Sequence, residues 1–311
     1  MQIALYLVLA AVFAALPLFF PALGFVFTLA VSKGFAALGV ALLLRAGLIS
    51  IGHALFFAAG AYATAFLTRT WGITDLLLIL LLSTASATVL GVLVGAFIVR
   101  YRAIFFAMLN LAVSMVFFAL LAKLYHITGG TDGIRVATPT ILGMTFARAT
   151  FEWILLYGSI ALVAAIGYLV HRFSGSPMGQ ALSAVHTNEI RVEYLGISVW
   201  GVLLSGYTIS AALAGLGGSI AAIAIGHVVP EMSYWTISGQ LVLIAVLGGI
   251  GGVVGPFVGA VFLEVVRTYA VAHVGDAWHM IVGVALLVVI FLLPGGLYGL
   301  IARSRRKVPT T

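Results

Sequence analysis

The chain has 311 residues, 63% of them hydrophobic and only 7% charged. Its mean hydropathy is +1.25, and a soluble domain carries about 25% charged residues, so this composition excludes a water-covered surface and implies an integral membrane protein. The net charge of +7 is accounted for by basic residues at helix ends on the cytoplasmic side rather than by nucleic-acid binding. The absence of cysteine excludes a disulfide framework, a thiolate nucleophile and a cysteine metal site.

The sequence predicts an all-α polytopic fold of about ten membrane helices, some of them broken or half-length. No alternation typical of short barrel strands is present. The first helix, about Ile3 to Leu16, lacks a basic flank and a cleavage site and reads as retained. Pro17 and Pro21 make a corner. The second helix runs from about Phe25 to Leu44, the third from Ile51 to Thr68, the fourth from Leu76 to Val99 and the fifth from Ile104 to Leu124. A polar loop, 125–151, contains Thr128-Gly129-Gly130-Thr131-Asp132-Gly133. The sixth helix spans about Glu152 to His171.

A longer polar region, 172–200, follows. Within it Met178 to Tyr194 reads as one amphipathic helix. Ser174 or Ser176 caps it, Pro177 suits its first turn and Gly196 stops it. The residues alone leave two roles open: a helix lying at the membrane interface, or one docking on a cytoplasmic partner. The seventh membrane helix is about Gly201 to Ile225. The eighth, Ile237 to Leu247, is too short to span and is interrupted by Gly248-Gly249-Ile250-Gly251-Gly252. The ninth runs to about Val271 and the tenth from His279 to Leu293, before a basic tail.

Nine of the fifteen Lys and Arg residues fall on one side under this alternation, including Arg45, Arg100, Arg102, Arg172, Arg191 and the tail. The bias puts both termini and region 172–200 in the cytoplasm and loop 125–151 outside. Lys33, Arg69, Lys123, Arg135, Arg148 and Arg267 lie inside helices or toward the other side.

The third helix is preceded by a break at Arg45, Gly47, Ser50, Gly52 and His53. Polar and backbone-freeing residues at membrane depth are costly unless they line a cavity or pack against protein. Gly52, Gly60 and Ala61 recur 199 residues later as Gly251, Gly259 and Ala260. Paired, glycine-interrupted apolar segments point to a transport pathway, against the alternative of close packing through small residues. Ser50, Gly52, His53, Phe57, Gly249, Gly251 and Gly252 are therefore candidate pathway residues. For His53 a structural role is slightly favoured over pathway lining. Asn110 and Ser114 are read as interhelical hydrogen-bonding groups, and Lys33 and Glu264 as a possible pair.

No phosphate-binding GxxxxGK[ST] motif occurs. The acidic residues form no obvious pair in a helix, so ion-coupled transport is disfavoured. A membrane-embedded enzyme is disfavoured by the lack of acid, base and metal clusters.

The run Ser50-x-Gly52-His53-x-x-Phe56-Phe57-x-x-Gly60-Ala61-Tyr62 resembles the signature of permease subunits of branched-chain amino-acid ABC importers, in particular the LivM-like half. Thr128-Gly129-Gly130-x-x-Gly133, Ser176-Pro177-x-Gly179-x-Ala181-Leu182, Asn188-Glu189, Gly196-Ile197, Ser210-Ala211-x-x-Ala214-Gly215-x-x-Gly218, Gly248-Gly249-x-Gly251-x-x-x-Gly255-x-x-x-Gly259-Ala260 and Pro294-Gly295-Gly296-Leu297-x-Gly299 fit in order. Gln180 and His186-Thr187 depart from the arginines frequent in the family.

The resemblance implies one transmembrane permease domain over 1–311, in a bacterial inner membrane. It also implies coupling to ATPases through Pro177, Gly179, Ala181, Leu182, Asn188, Glu189 and Gly196. Expected partners are a second related permease, two ATPase subunits carrying ATP and Mg, a periplasmic solute-binding protein and membrane lipid. No cofactor is expected on this chain. The alternative is a self-sufficient secondary carrier or channel for a small polar solute.

Overall fold

The computed structural model describes residues 23–275, residues 296–303 and some positions between them. Helix α1 (Gly24–Arg45) leads into α2 (Ala54–Arg69), α3 (Leu76–Ile98) and α4 (Ala103–Lys123). Helix α5 (Arg148–Gly175) is followed by two short helices, α6 (Pro177–Thr187) and α7 (Glu189–Tyr194). Then come α8 (Val199–Ile225), α9 (Trp235–Gly248), α10 (Gly255–Val274) and α11 (Gly296–Arg303). Among the described residues six helices are long and apolar enough to cross a membrane, and α2 and α9 are shorter apolar helices. The protein is an all-α polytopic membrane protein. The expected first helix, Ile3–Leu16, and the basic tail lie outside the described residues, as does most of the expected tenth helix, His279–Leu293.

Without water in the hydrocarbon, helices satisfy their own backbone groups, and burial then sorts them into a centre and a rim. The most apolar window of α1 is 89% buried and that of α8 is 78%, against 28% for α3 and 22% for α4. Helix α8 packs along α1, α2 and α3, and α1 also packs on α10. Small residues make the central crossing possible. A methyl at Gly60 would strike the Gly215 backbone, one at Gly218 the Phe57 carbonyl, and one at Gly217 the Ser32 carbonyl.

Two expectations change. The helix expected to begin at Ile51 begins at Ala54, because Gly47 turns the chain at φ +73° and residues 48–53 stay extended or turned. The single helix expected over Met178–Tyr194 is two. Asn188 is extended (φ −163°, ψ 104°), and its side chain accepts the Arg191 amide to cap α7. A side-chain cap pre-empts helix continuation in this way. The cap of α6 is Ser176, which accepts from the Gly179 amide at 3.3 Å.

The expected loop 125–151 is ordered. It opens with one helical turn, Tyr125–Thr128, and a 3₁₀ turn, Gly130–Asp132. Strand β1 (Ile134–Arg135) then pairs antiparallel with β2 (His227–Val228), Ile134 facing Val228 and Arg135 facing His227. Tyr125 donates to the Asp132 carboxylate at 3.1 Å, and that hydrogen bond and charge raise the phenol pKa above its ordinary value.

The central crossing yields a test. Gly218→Leu is expected to lower the thermal midpoint of the detergent-solubilised protein by the equivalent of ~1–3 kcal/mol or more. Gly158→Leu, at an exposed position where an added Cβ meets nothing within 4 Å, is expected to melt like the parent; equal melting of both would refute the packing assignment.

Candidate functional site

The break between α1 and α2 is held by a buried polar cluster. The His53 Nδ1 lies 2.7 Å from Ser50 Oγ, and its Nε2 lies 2.5 Å from Ser210 Oγ on α8. Each hydroxyl donates or accepts as the ring tautomer requires. The buried Ala54 amide, which has no partner within α2 at the start of the helix, donates to Ser238 Oγ of α9 at 2.9 Å. Tyr207 packs edge-on to Phe56 and Phe106 and donates to Asn110 Oδ1 at 2.6 Å. Asn110 in turn donates to the Phe106 carbonyl, and its own carbonyl backs onto Gly52, where no side chain fits. Ser114 donates to the Ser233 carbonyl at 3.0 Å. Ser50 and His53 are fully buried, and Phe57 is 4% exposed. The structural reading of His53 thus has its partners, while Ser50, Gly52 and Phe57 face helices of this same chain.

The second break lies between α9 and α10. Gly249 leaves α9 at φ +96°, and its amide still donates to the Ala245 and Val246 carbonyls. Gly255 and Gly259 sit against Gly248, so the two helices close as a tight hairpin. A methyl at Gly252 would come within 2.8 Å of the Tyr298 ring.

The two breaks meet. A cavity of about 380 Å³ is lined by Gly47 and Ile49 from the first, Gly249, Ile250 and Gly251 from the second, and His186 from α6. The Arg45 Nε donates to the Ile250 carbonyl at 2.9 Å, and its Nη1 donates to Ser174 Oγ at 3.0 Å. The His186 ring covers the space where a side chain on Gly47 would stand. Arg45 therefore ties the end of α1 to the second break and to the end of α5, at a residue three positions before α6 begins.

The proposed coupling residues divide into two groups. Gly179, Ala181 and Leu182 are buried within the chain, with Leu182 against Gly206 of α8. Glu189 pairs with Arg102 from the α3–α4 turn. Pro177, Asn188 and Gly196 are exposed, next to exposed Ile190, Tyr194 and Leu195. Sequence reasoning did not single out Arg45–Ser174, or Ser210, Tyr207 and Ser238 as partners of the break. A serine or tyrosine in an apolar helix carries no mark of which helix it will face.

Lys33 and Glu264 do pair. The Lys33 Nζ lies 2.5 Å from Glu264 Oε1, joining α1 to α10, with Arg267 3.9 Å from the other carboxylate oxygen. Among the described residues no group of three or more His, Cys, Asp or Glu is placed to hold a metal ion.

Residues 22–291 match the family described as the permease component of branched-chain amino acid transport systems. The chain belongs to this family. It is 32% identical to the high-affinity branched-chain amino acid permease LivM of Salmonella typhimurium, over 71% of this chain and 57% of that protein. It is 31% identical to LivM of Escherichia coli over the same shares. It is also 28% identical to the permease LivH of Salmonella typhimurium over 47% of this chain and 46% of that one. The match spans less than two thirds of the length of the LivM relatives. No solved structure matches the chain significantly.

The buried ion pair gives a testable asymmetry. Glu264→Leu alone strands Lys33 in the membrane interior and is expected to cost ~3–5 kcal/mol, and Lys33→Met, which leaves Glu264 with Arg267, less than that. The double variant is expected to melt within about 1 kcal/mol of the parent, since an apolar pair removes both desolvation penalties. Thermal midpoints of the three purified variants decide it; additive losses would refute the pairing.

Proposed function

We propose that this chain is the transmembrane permease subunit of an ATP-driven importer for branched-chain amino acids or related small polar solutes. It forms half of the translocation pathway in a bacterial inner membrane, within one permease domain. Its partners are a second related permease, two ATPase subunits that carry ATP and Mg, and a periplasmic solute-binding protein. The face bearing Arg45, Ser174 and α6–α7 is cytoplasmic, and loop 125–151 is periplasmic.

The observation that carries this reading is the meeting of both broken segments with α6 around one cavity. Motion delivered to α6 and α7 by an ATPase has two mechanical routes into the membrane. One is the His186 ring against Gly47, and the other is Ser174 through Arg45 to the Ile250 carbonyl. In this scheme the exposed Pro177, Asn188 and Gly196, with Ile190, Tyr194 and Leu195, touch the ATPase. Gly179, Ala181, Leu182 and Glu189 hold α6 and α7 to the membrane helices so that the push is not lost.

The same scheme divides the pathway residues. Gly249, Gly251 and Gly252 form the inward mouth of the passage. Ser50, Gly52, His53 and Phe57 stand behind it and set the depth of the break, which moves as a unit with α2. The absence of side chains at 249, 251 and 252 leaves backbone carbonyls and amides as the polar groups presented to a passing solute.

Arg45→Ala is expected to separate the two activities. Losing hydrogen bonds from a charged donor costs ~1.5–3 kcal/mol, which corresponds to roughly a ten- to hundredfold loss of solute uptake, while ATP hydrolysis by the assembled complex continues. Uptake and hydrolysis are measured in the same proteoliposomes. Equal loss of both, or solute flux through this chain without ATPases, would overturn the reading.

A further inference from the structure

The outer face of the chain carries a second cavity, of about 680 Å³, lined by Thr68, Arg69, Arg135, Arg148, Gly226 and His227, with Val136 and Ala137. Three arginines from three separate elements line it. Arg69 ends α2, Arg135 lies on β1 opposite His227, and Arg148 opens α5 with its guanidinium nitrogens over Gly226. The strand pair and the bond from the Val136 amide to the Gly226 carbonyl, 3.0 Å, fix Arg135 against the C-terminus of α8. The His227 Nε2 lies 2.9 Å from the Asp132 carbonyl, which makes that nitrogen the donor.

The charge in this cavity is unbalanced. Arg148 pairs with Glu152 at 3.1 Å. Neither Arg69 nor Arg135 has an ion pair among the described residues. Asp132, the nearby acid on the loop, is engaged by Tyr125. No carboxylate lines the cavity among the described residues. Basic residues in membrane proteins concentrate on the cytoplasmic side, so three outward arginines at one cavity run against the general tendency.

We propose that this cavity is a carboxylate-recognition site that receives acidic side chains of the soluble protein delivering solute to the permease. The inference rests on the importer reading above. Guanidinium groups hold carboxylates through paired, charge-assisted hydrogen bonds and are favoured at protein interfaces. The volume suits a ligand larger than one carboxylate. Arg69 and Arg135 stand at the ends of the central helices α2 and α8, and only Arg148 opens a rim helix, α5, which favours a partner from the aqueous phase over a lipid phosphate. A free branched-chain amino acid would need an apolar wall, and only Val136 and Ala137 offer one.

The test uses the assembled complex in nanodiscs and the soluble binding protein that stimulates its ATPase. The variants are Arg69→Gln with Arg135→Gln, and the charge-keeping Arg69→Lys with Arg135→Lys. The glutamine pair is expected to raise the concentration of binding protein needed for half-maximal stimulation roughly tenfold or more, with unchanged ATPase activity in its absence. The lysine pair is expected to fall between the glutamine pair and the parent, and raised salt is expected to erase the difference. Identical stimulation curves for parent and variants would overturn the site. So would a defect that appears only when phosphatidylglycerol is withdrawn, or loss of direct leucine binding to the complex without its binding protein, since these assign the cavity to lipid or to free solute. A parent complex that no soluble binding protein stimulates would instead sink the importer reading, and this site with it.

Discussion

Hydrocarbon offers no hydrogen bonds, so every backbone group that leaves a helix inside the membrane must find a partner in the protein. The chain leaves helical geometry twice near its centre, at residues 46–53 and 249–254. The first break is met by Ser50, Ser210 and Ser238 around His53 and Ala54. The second is kept compact by glycines that let α9 and α10 close on each other. Most of the architecture follows from housing these two interruptions: a glycine-rich α8 that several helices approach closely, an ion pair joining α1 to α10, and a rim of apolar helices around them.

Because the breaks are braced on different helices, they are free to be linked at one point. That point is the cavity between them, which His186 of α6 lines and beside which Arg45 bonds the Ile250 carbonyl and Ser174. Side-chain hydrogen bonds brace the first break around His53, whereas the second is held by close backbone packing among Gly248, Gly249, Gly255 and Gly259. At the opposite face the same central helices end in a cluster of guanidinium groups with little internal compensation.

Much of this was legible in the residues. Apolar length indicated the membrane spans, because a helix must cover about 30 Å of hydrocarbon, and α1–α4 and α8–α10 follow the expected segments closely, while α5 extends past both of its expected ends. The glycine spacing located both interruptions. Apolar periodicity passes through Asn188 and suggests one helix over 178–194; the signal that divides it is a local one, the Asn188 side chain capping the amide three residues on. The loop 125–151 showed polarity but not its pairing with β2, since the strand partner lies far along the chain.

Composition, run length and local spacing suffice to make the chain a polytopic helical membrane protein, to locate the interruptions in its helices and to show the family it resembles. The folded arrangement was needed to learn that Ala181 and Leu182 face inward, that Lys33 meets Glu264, and that Arg45 joins Ile250 to Ser174. It also decided that Arg69, Arg135 and Arg148 share one cavity. The reason is physical: a helix in lipid is apolar on nearly every side, so its sequence carries little of the facial pattern that tells which neighbour each residue will meet.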